Sequence, residues 1–143
     1  MPNELYVVAY DGEHRRAVDH AIESAKRSGA KLHIVHVIEW SPYRFLTPQE
    51  LEERHKRRSE EVARAEAEVI QPILSEMTAA GLTATGEIRY GNVVELLASI
   101  AQKQHATGIV MGRSGGTSFG GRVFGSAAMG LAQVSPVPVT IVP

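Results

Sequence analysis

The chain has 143 residues, 43% of them hydrophobic, with 15 Lys and Arg set against 16 Asp and Glu. That length suits one domain, residues 1–143, with an ordinary core, and the near-neutral balance leaves no global field to draw it to nucleic acid or anionic lipid. The sequence contains no cysteine, which excludes disulfides, Fe–S clusters, Cys-ligated zinc and thiol chemistry.

The first apolar run, Leu5-Tyr6-Val7-Val8-Ala9-Tyr10, is rich in strand formers and reads as a strand buried on both faces. It has no basic lead, so it does not read as a signal peptide. Asp11-Gly12 is a turn pair. From His14 the period becomes helical, with Ala17/Val18, Ala21/Ile22 and Ala25 on one face and Gly29 as the stop. Residues 32–38 (LHIVHVI) read as a second buried strand.

Residues 40–46 are loop-like. Thr47, Pro48 and Glu50 then form a capping box with proline at the first helical position. Leu51, His55, Arg58, Val62, Ala65, Val69 and Ile73 follow one helical stripe, Pro72 is expected to kink the helix near its end, and Gly81 closes it. Residues 82–90 form a weaker, Thr-containing strand suited to an edge. Asn92 and Glu95 repeat the capping pattern before a helix running to about His105. Residues 108–111 are a fourth strand, residues 126–134 a further helix, and residues 137–142 a fifth strand. Pro138 lacks a ladder donor, which puts that last strand at an edge and hints at pairing between copies.

Strands alternating with helices predict an α/β fold: an open five-stranded, mostly parallel sheet with helices on both faces, Rossmann-like. No apolar stretch approaches the ~20 residues that span a bilayer, so a cytoplasmic protein with no membrane insertion is expected.

Eight of the 13 glycines fall within residues 108–130, between the fourth strand and the next helix. Ligands of open α/β sheets bind at the carboxyl ends of the strands. Glycines there let successive backbone N–H groups converge on an anion, and a following helix N-terminus favours a phosphate. A Walker loop is excluded because Gly121-Arg122 follows Gly115 and Gly120 where Lys-Ser/Thr is required. A dinucleotide GxGxxG is absent. What stands there is Gly112-x2-Gly115-x9-Gly125-Ser126.

This spacing resembles the phosphate loop of the ATP-binding branch of the universal stress protein family. The likeness extends along the chain through Asp11-Gly12, His36-Val37-Ile38, Gly91 before a capped helix, Ile109-Val110-Met111-Gly112, and Pro138-Val139-Thr140-Ile141-Val142. It implies the adenine nucleotide alpha hydrolase-like version of the fold. It also implies that Ala9, Tyr10 and Asp11 lie along adenine and ribose, with Val37 completing the adenine pocket. Met111, Gly112 and Gly115 would line the ribose and first phosphates; apart from the resemblance, Arg113 reads as a source of positive charge at the same loop. Gly125, Ser126, Ala127 and Ala128 would hold the terminal phosphates, and Mg²⁺ would bridge them. Family members are commonly homodimers through the last strand, residues 137–142. Glu13 departs from the family's usual helix-capping serine, and Thr107-Gly108 replaces an acidic residue before the fourth strand.

The expected function is an ATP-binding stress-response switch with an unknown protein partner. It is at most a slow ATPase, because the loop has no lysine and no catalytic residue stands out. A nucleotide-free interaction module is the alternative. A nucleotidyltransferase-type enzyme is disfavoured because residues 9–16 carry neither a His-x-x-His nor a Ser-Gly-Gly motif. The six histidines are scattered and read as solvated or core-satisfied side chains rather than metal ligands. The basic run of residues 54–58 is flanked by acidic pairs and reads as a salt-bridged helix face, not a nucleic-acid patch.

Overall fold

The computed structural model describes residues 4–39, 47–113 and 126–143, with Ser126 by its backbone only. The expected loop at residues 40–46 and the glycine-rich segment at residues 114–125 lie outside the described residues. Five strands, β1 (Leu5–Ala9), β2 (Lys31–Glu39), β3 (Ala84–Gly91), β4 (Gly108–Gly112) and β5 (Val139–Val142), form one sheet in the order β3-β2-β1-β4-β5. All four pairings are parallel, as the alternation of strands and helices predicts. Chain order reverses direction between β1 and β4, with β2 and β3 laid down on one side and β5 on the other.

The helices cover both faces. α1 (Arg16–Ser28) and α3 (Gln71–Ala79) pack on one side, where Val8, Val18, Ile22, Ile34, Ile73 and Met77 make a core. α4 (Val93–Lys103) and α5 (Ser126–Val134) pack on the other, around Val7, Val35, Leu97, Ile109, Met111 and Leu131. Adjacent residues of β1 feed opposite cores because successive side chains alternate across a sheet, so a central strand has to be apolar without interruption.

Caps set several boundaries. Gly29 ends α1 in the left-handed conformation, at φ 79°, which glycine adopts without a Cβ penalty. Asn92 accepts from the Glu95 backbone N–H at 3.0 Å and starts α4. Thr47 and Glu50 form the complete capping box of α2 (Pro48–Ala65).

The structure moves some boundaries. α1 begins at Arg16 and not at His14, because residues 11–14 are folded into a side-chain-closed turn described below. Pro138 precedes β5 and its carbonyl accepts from Ile109 N at 2.9 Å; the strand it introduces is nevertheless at the edge. The stripe expected from Leu51 onward does not seat α2 on the sheet: Leu51 is 53% exposed, and Ala65 is the one buried residue of that helix. In place of a kink at Pro72, a π-helical turn, Glu66–Ile70, joins α2 to α3, and Pro72 sits in the first turn of α3. Proline lacks an N–H and crowds the carbonyl four residues before it. A widened turn just ahead of it relieves both constraints.

Candidate functional site

At the carboxyl ends of β1, β2 and β4 the described residues enclose an open cavity of about 700 Å³. Its place follows from topology: crossovers leaving β1 and β4 run to opposite sides, so the ends of these two strands are left uncovered. Ala9, Val35, Val37 and Met111 supply an apolar lining, and Tyr10, Gly112 and Ala127 extend it. Asp11, Glu13 and His14 enter from the β1–α1 turn, Arg16 from the start of α1, Glu39 from the end of β2 and Arg113 from the end of β4.

The β1–α1 turn is organised by Asp11. Its Oδ1 accepts backbone N–H groups from Glu13 and His14, both at 2.8 Å, the pattern by which aspartate closes a turn without regular backbone pairing. Gly12 follows at φ 90° with Val69 and His36 against its open side. His36 Nδ1 lies 2.8 Å from the Tyr10 carbonyl, which can only accept, so that nitrogen donates. This bond ties the β2 side of the cavity to the β1 side. Arg15 is directed to Glu76 and Asp19, bonding Oε1 of Glu76 at 2.8 Å and Oδ1 of Asp19 at 3.0 Å, which raises the guanidinium pKa further. Arg16 reaches the Pro143 carbonyl at 3.4 Å.

His14 Nδ1 is 2.6 Å from Asp11 Oδ2. Burial works to raise the Asp11 pKa, but the two backbone donors and His14 outweigh it and hold the carboxyl below its ordinary value. The same hydrogen bond to Asp11, with its negative charge, raises the His14 pKa. An ionised Asp11 can only accept, so Nδ1 of His14 carries the proton.

Among the described residues no three His, Cys, Asp or Glu side chains converge as a metal site. Elsewhere His33 is buried, with Nδ1 2.6 Å from Thr85 Oγ1 and Nε2 2.6 Å from Glu87 Oε2; it is a satisfied core imidazole.

Of the residues singled out from sequence, Ala9, Tyr10, Asp11, Val37, Met111, Gly112, Arg113 and Ala127 lie on this one cavity. Ala128 is buried in the core on the α4 and α5 side. Gly115, Gly125 and the Ser126 side chain lie outside the described residues. Sequence reasoning missed Val35, Glu39 and above all His14 and Arg16. The Asp11-Gly12 pair, read as an aspartate-closed turn, was the signal that would have brought residues 13–16 back over the strand ends.

The model of the universal stress protein family matches residues 5–143. The chain belongs to this family. Among solved structures, universal stress protein UspA from Lactobacillus plantarum is 20% identical with a TM-score of 0.84, covering 100% of this chain and 99% of that one. A universal stress protein in complex with cAMP is 27% identical with a TM-score of 0.68, over 99% and 98% of the two chains. The Archaeoglobus fulgidus universal stress protein in complex with dAMP is 18% identical with a TM-score of 0.64, over 100% of both chains. No curated protein sequence matches. As a universal stress protein the chain keeps the five-stranded sheet of these structures, and no helix among its described residues is long and apolar enough to cross a membrane.

Proposed function

We propose that this chain binds an adenine nucleotide, ATP foremost, in the cavity at the β1–β4 switch point, and acts in the cytoplasm as a nucleotide-dependent regulatory switch. The observation that carries the reading is the cavity itself. Its volume lies within the roughly 300–1,000 Å³ range of small-molecule sites. Its apolar lining of Ala9, Val37 and Met111 suits a flat base, and Arg16 and Arg113 supply cationic groups for phosphates. The two relatives in complex with cAMP and dAMP, and the glycine spacing from Gly112 to Gly125, agree with it. The amide-rich start of α5 at Ser126–Ala127 offers the N-terminal dipole that favours a phosphate. With no protein ligand cluster among the described residues, Mg²⁺ would be carried by the phosphates of the nucleotide. The loop's lack of lysine favours occupancy sensing over rapid phosphoryl transfer.

The test is to denature protein purified without added nucleotide, chromatograph the supernatant, and titrate the emptied protein with ATP, AMP and cAMP by calorimetry. Stoichiometric release or saturable binding supports the reading. A clean supernatant with no heat for any ligand overturns it and leaves an interaction module. Val37→Trp, which fills the adenine side, should weaken binding at least tenfold while the far-ultraviolet circular dichroism is unchanged. We further propose a homodimer through the edge strand β5, where Ile141 is 39% exposed. Sedimentation should show a dimer that Ile141→Lys dissociates.

A further inference from the structure

We infer that His14, held by Asp11, is the group this chain turns toward the charged part of its ligand. The inference rests on the nucleotide reading above and names a contact within it. The family resemblance implies that Asp11 lies against the ligand, yet three donors already converge on its carboxylate: the N–H groups of Glu13 and His14 and the His14 ring. That fills three of its roughly four acceptor positions. What the turn presents beyond the carboxylate is the imidazole, whose side chain is 65% exposed and lines the cavity.

The geometry fixes the chemistry. With Nδ1–H committed to Asp11, the ring cannot rotate freely, and Nε2 has no hydrogen-bond partner among the described residues. An imidazole oriented by a carboxylate in this way is a fixed donor or acceptor at its other nitrogen. Protonated, it offers an Nε2–H with a positive charge to a phosphate oxygen, a charge-assisted bond stronger than a neutral one.

The charged groups around it come from one turn and three elements. The β1–α1 turn brings Glu13, with Arg15 occupied by Glu76 and Asp19; Arg16 is the first residue of α1; the end of β2 brings Glu39; the end of β4 brings Arg113. Carboxylates of Asp11, Glu13 and Glu39 share the cavity with guanidiniums of Arg16 and Arg113, so a proton on His14 cancels the remaining negative charge and lets the site accept an anion more readily. Affinity for an anionic nucleotide should therefore be highest at mildly acidic pH and fall as pH rises through the elevated pKa of His14. Adenosine, which has no phosphate, should bind without this dependence.

The test has two arms. In ligand-free protein, a nitrogen-15 NMR titration of the histidine rings should find His14 protonated at Nδ1 when neutral, with a pKa above the ordinary imidazole value that falls in Asp11→Asn. Calorimetry then compares ATP and adenosine at about pH 6 and about pH 8.5, either side of imidazole titration. The wild type should lose about tenfold more affinity for ATP over that interval than His14→Gln does, a difference of one charge-assisted hydrogen bond. Comparison with His14→Gln removes the titration of the γ-phosphate itself. His14→Arg should keep tight binding at both values. ATP binding with equal pH dependence in wild type and His14→Gln overturns this inference alone, as does an equal effect on adenosine. Absence of binding by either ligand to the wild type overturns the nucleotide reading, and this contact with it.

Discussion

Gly86 shows how one hydrogen can decide a packing arrangement. A Cβ built there would lie 2.9 Å from Ile70 Cγ2 and 3.4 Å from the Ile34 carbonyl, and Ile70 is fully buried. Nothing flexible is available to yield, since overfilling a packed site forces off-rotamer side chains and backbone shifts. Gly86→Ala should lower unfolding free energy by about 1–3 kcal/mol. In an Ile70→Ala background the added penalty should shrink, which a double-mutant cycle by urea denaturation would detect as coupling. Glu87, the next residue, gives a prediction in pH. Its partial burial raises the carboxyl pKa, but hydrogen bonds from His33 and Arg89 outweigh burial and depress it. A depressed carboxylate contributes stability that is present above its unfolded pKa and is lost as pH falls through its folded one. Glu87→Gln, which keeps an acceptor for His33 but loses its charge, should therefore destabilise the protein near neutral pH by about 1 kcal/mol, and the gap from wild type should close in acid. A gap that stays constant down to about pH 3, below the ordinary carboxylate range, would show that the carboxylate is not the cause.

At the scale of elements, two helices that both carry side-chain N-caps should respond differently to losing them. Asn92 starts α4, which carries Leu97, Ile100 and Ala101 into a core; Thr47 starts α2, which buries Ala65 alone. A cap lost to alanine costs about 1 kcal/mol of helix stability. Asn92→Ala should show that loss in global unfolding, whereas Thr47→Ala should leave the global midpoint nearly unchanged and speed amide exchange in α2 only. The same contrast marks what sequence can say. Strand type, strand edges and the caps at Thr47 and Asn92 were legible because each is a local pattern with a local cause. The exposure of Leu51 was not: a helical stripe states which residues share a face and not whether a sheet lies beneath it. The π-helical turn was only half legible. Pro72 announced a disturbance, but whether a helix kinks or widens depends on what packs on it, here Val69 against Gly12. For the site, the apolar residues at strand ends came from the family resemblance and not from any local pattern, while His14 and Arg16 were hidden because their approach depends on a turn closed by one aspartate side chain.

At the scale of the whole molecule, the cavity is a property of strand order and needs no residue dedicated to opening it. Two crossovers diverge from β1 and β4, and a cleft results. A ligand held there touches all three central strands, so nucleotide at a hundred times its dissociation constant should add about 2.7 kcal/mol to global stability. A rise in thermal midpoint with ATP, absent in Val37→Trp, is the measurement.

The central strand has a further consequence. Val7 and Val8 are fully buried in opposite cores, and β1 is paired on both sides. The residues that lead into the cavity begin one position later. Local breathing cannot free such a strand; its amide hydrogens exchange only when the entire molecule opens. Among the described residues the floor of the site should thus be among the slowest to exchange, and Leu51 and the outer turns of α2 among the fastest. A ligand gripping Ala9 and Tyr10 would lengthen the lifetimes of Val7 and Val8 amides by the inverse of the unoccupied fraction, which is one plus the ratio of free ligand to Kd. Two valines with no contact to the ligand would then report how full the cavity is.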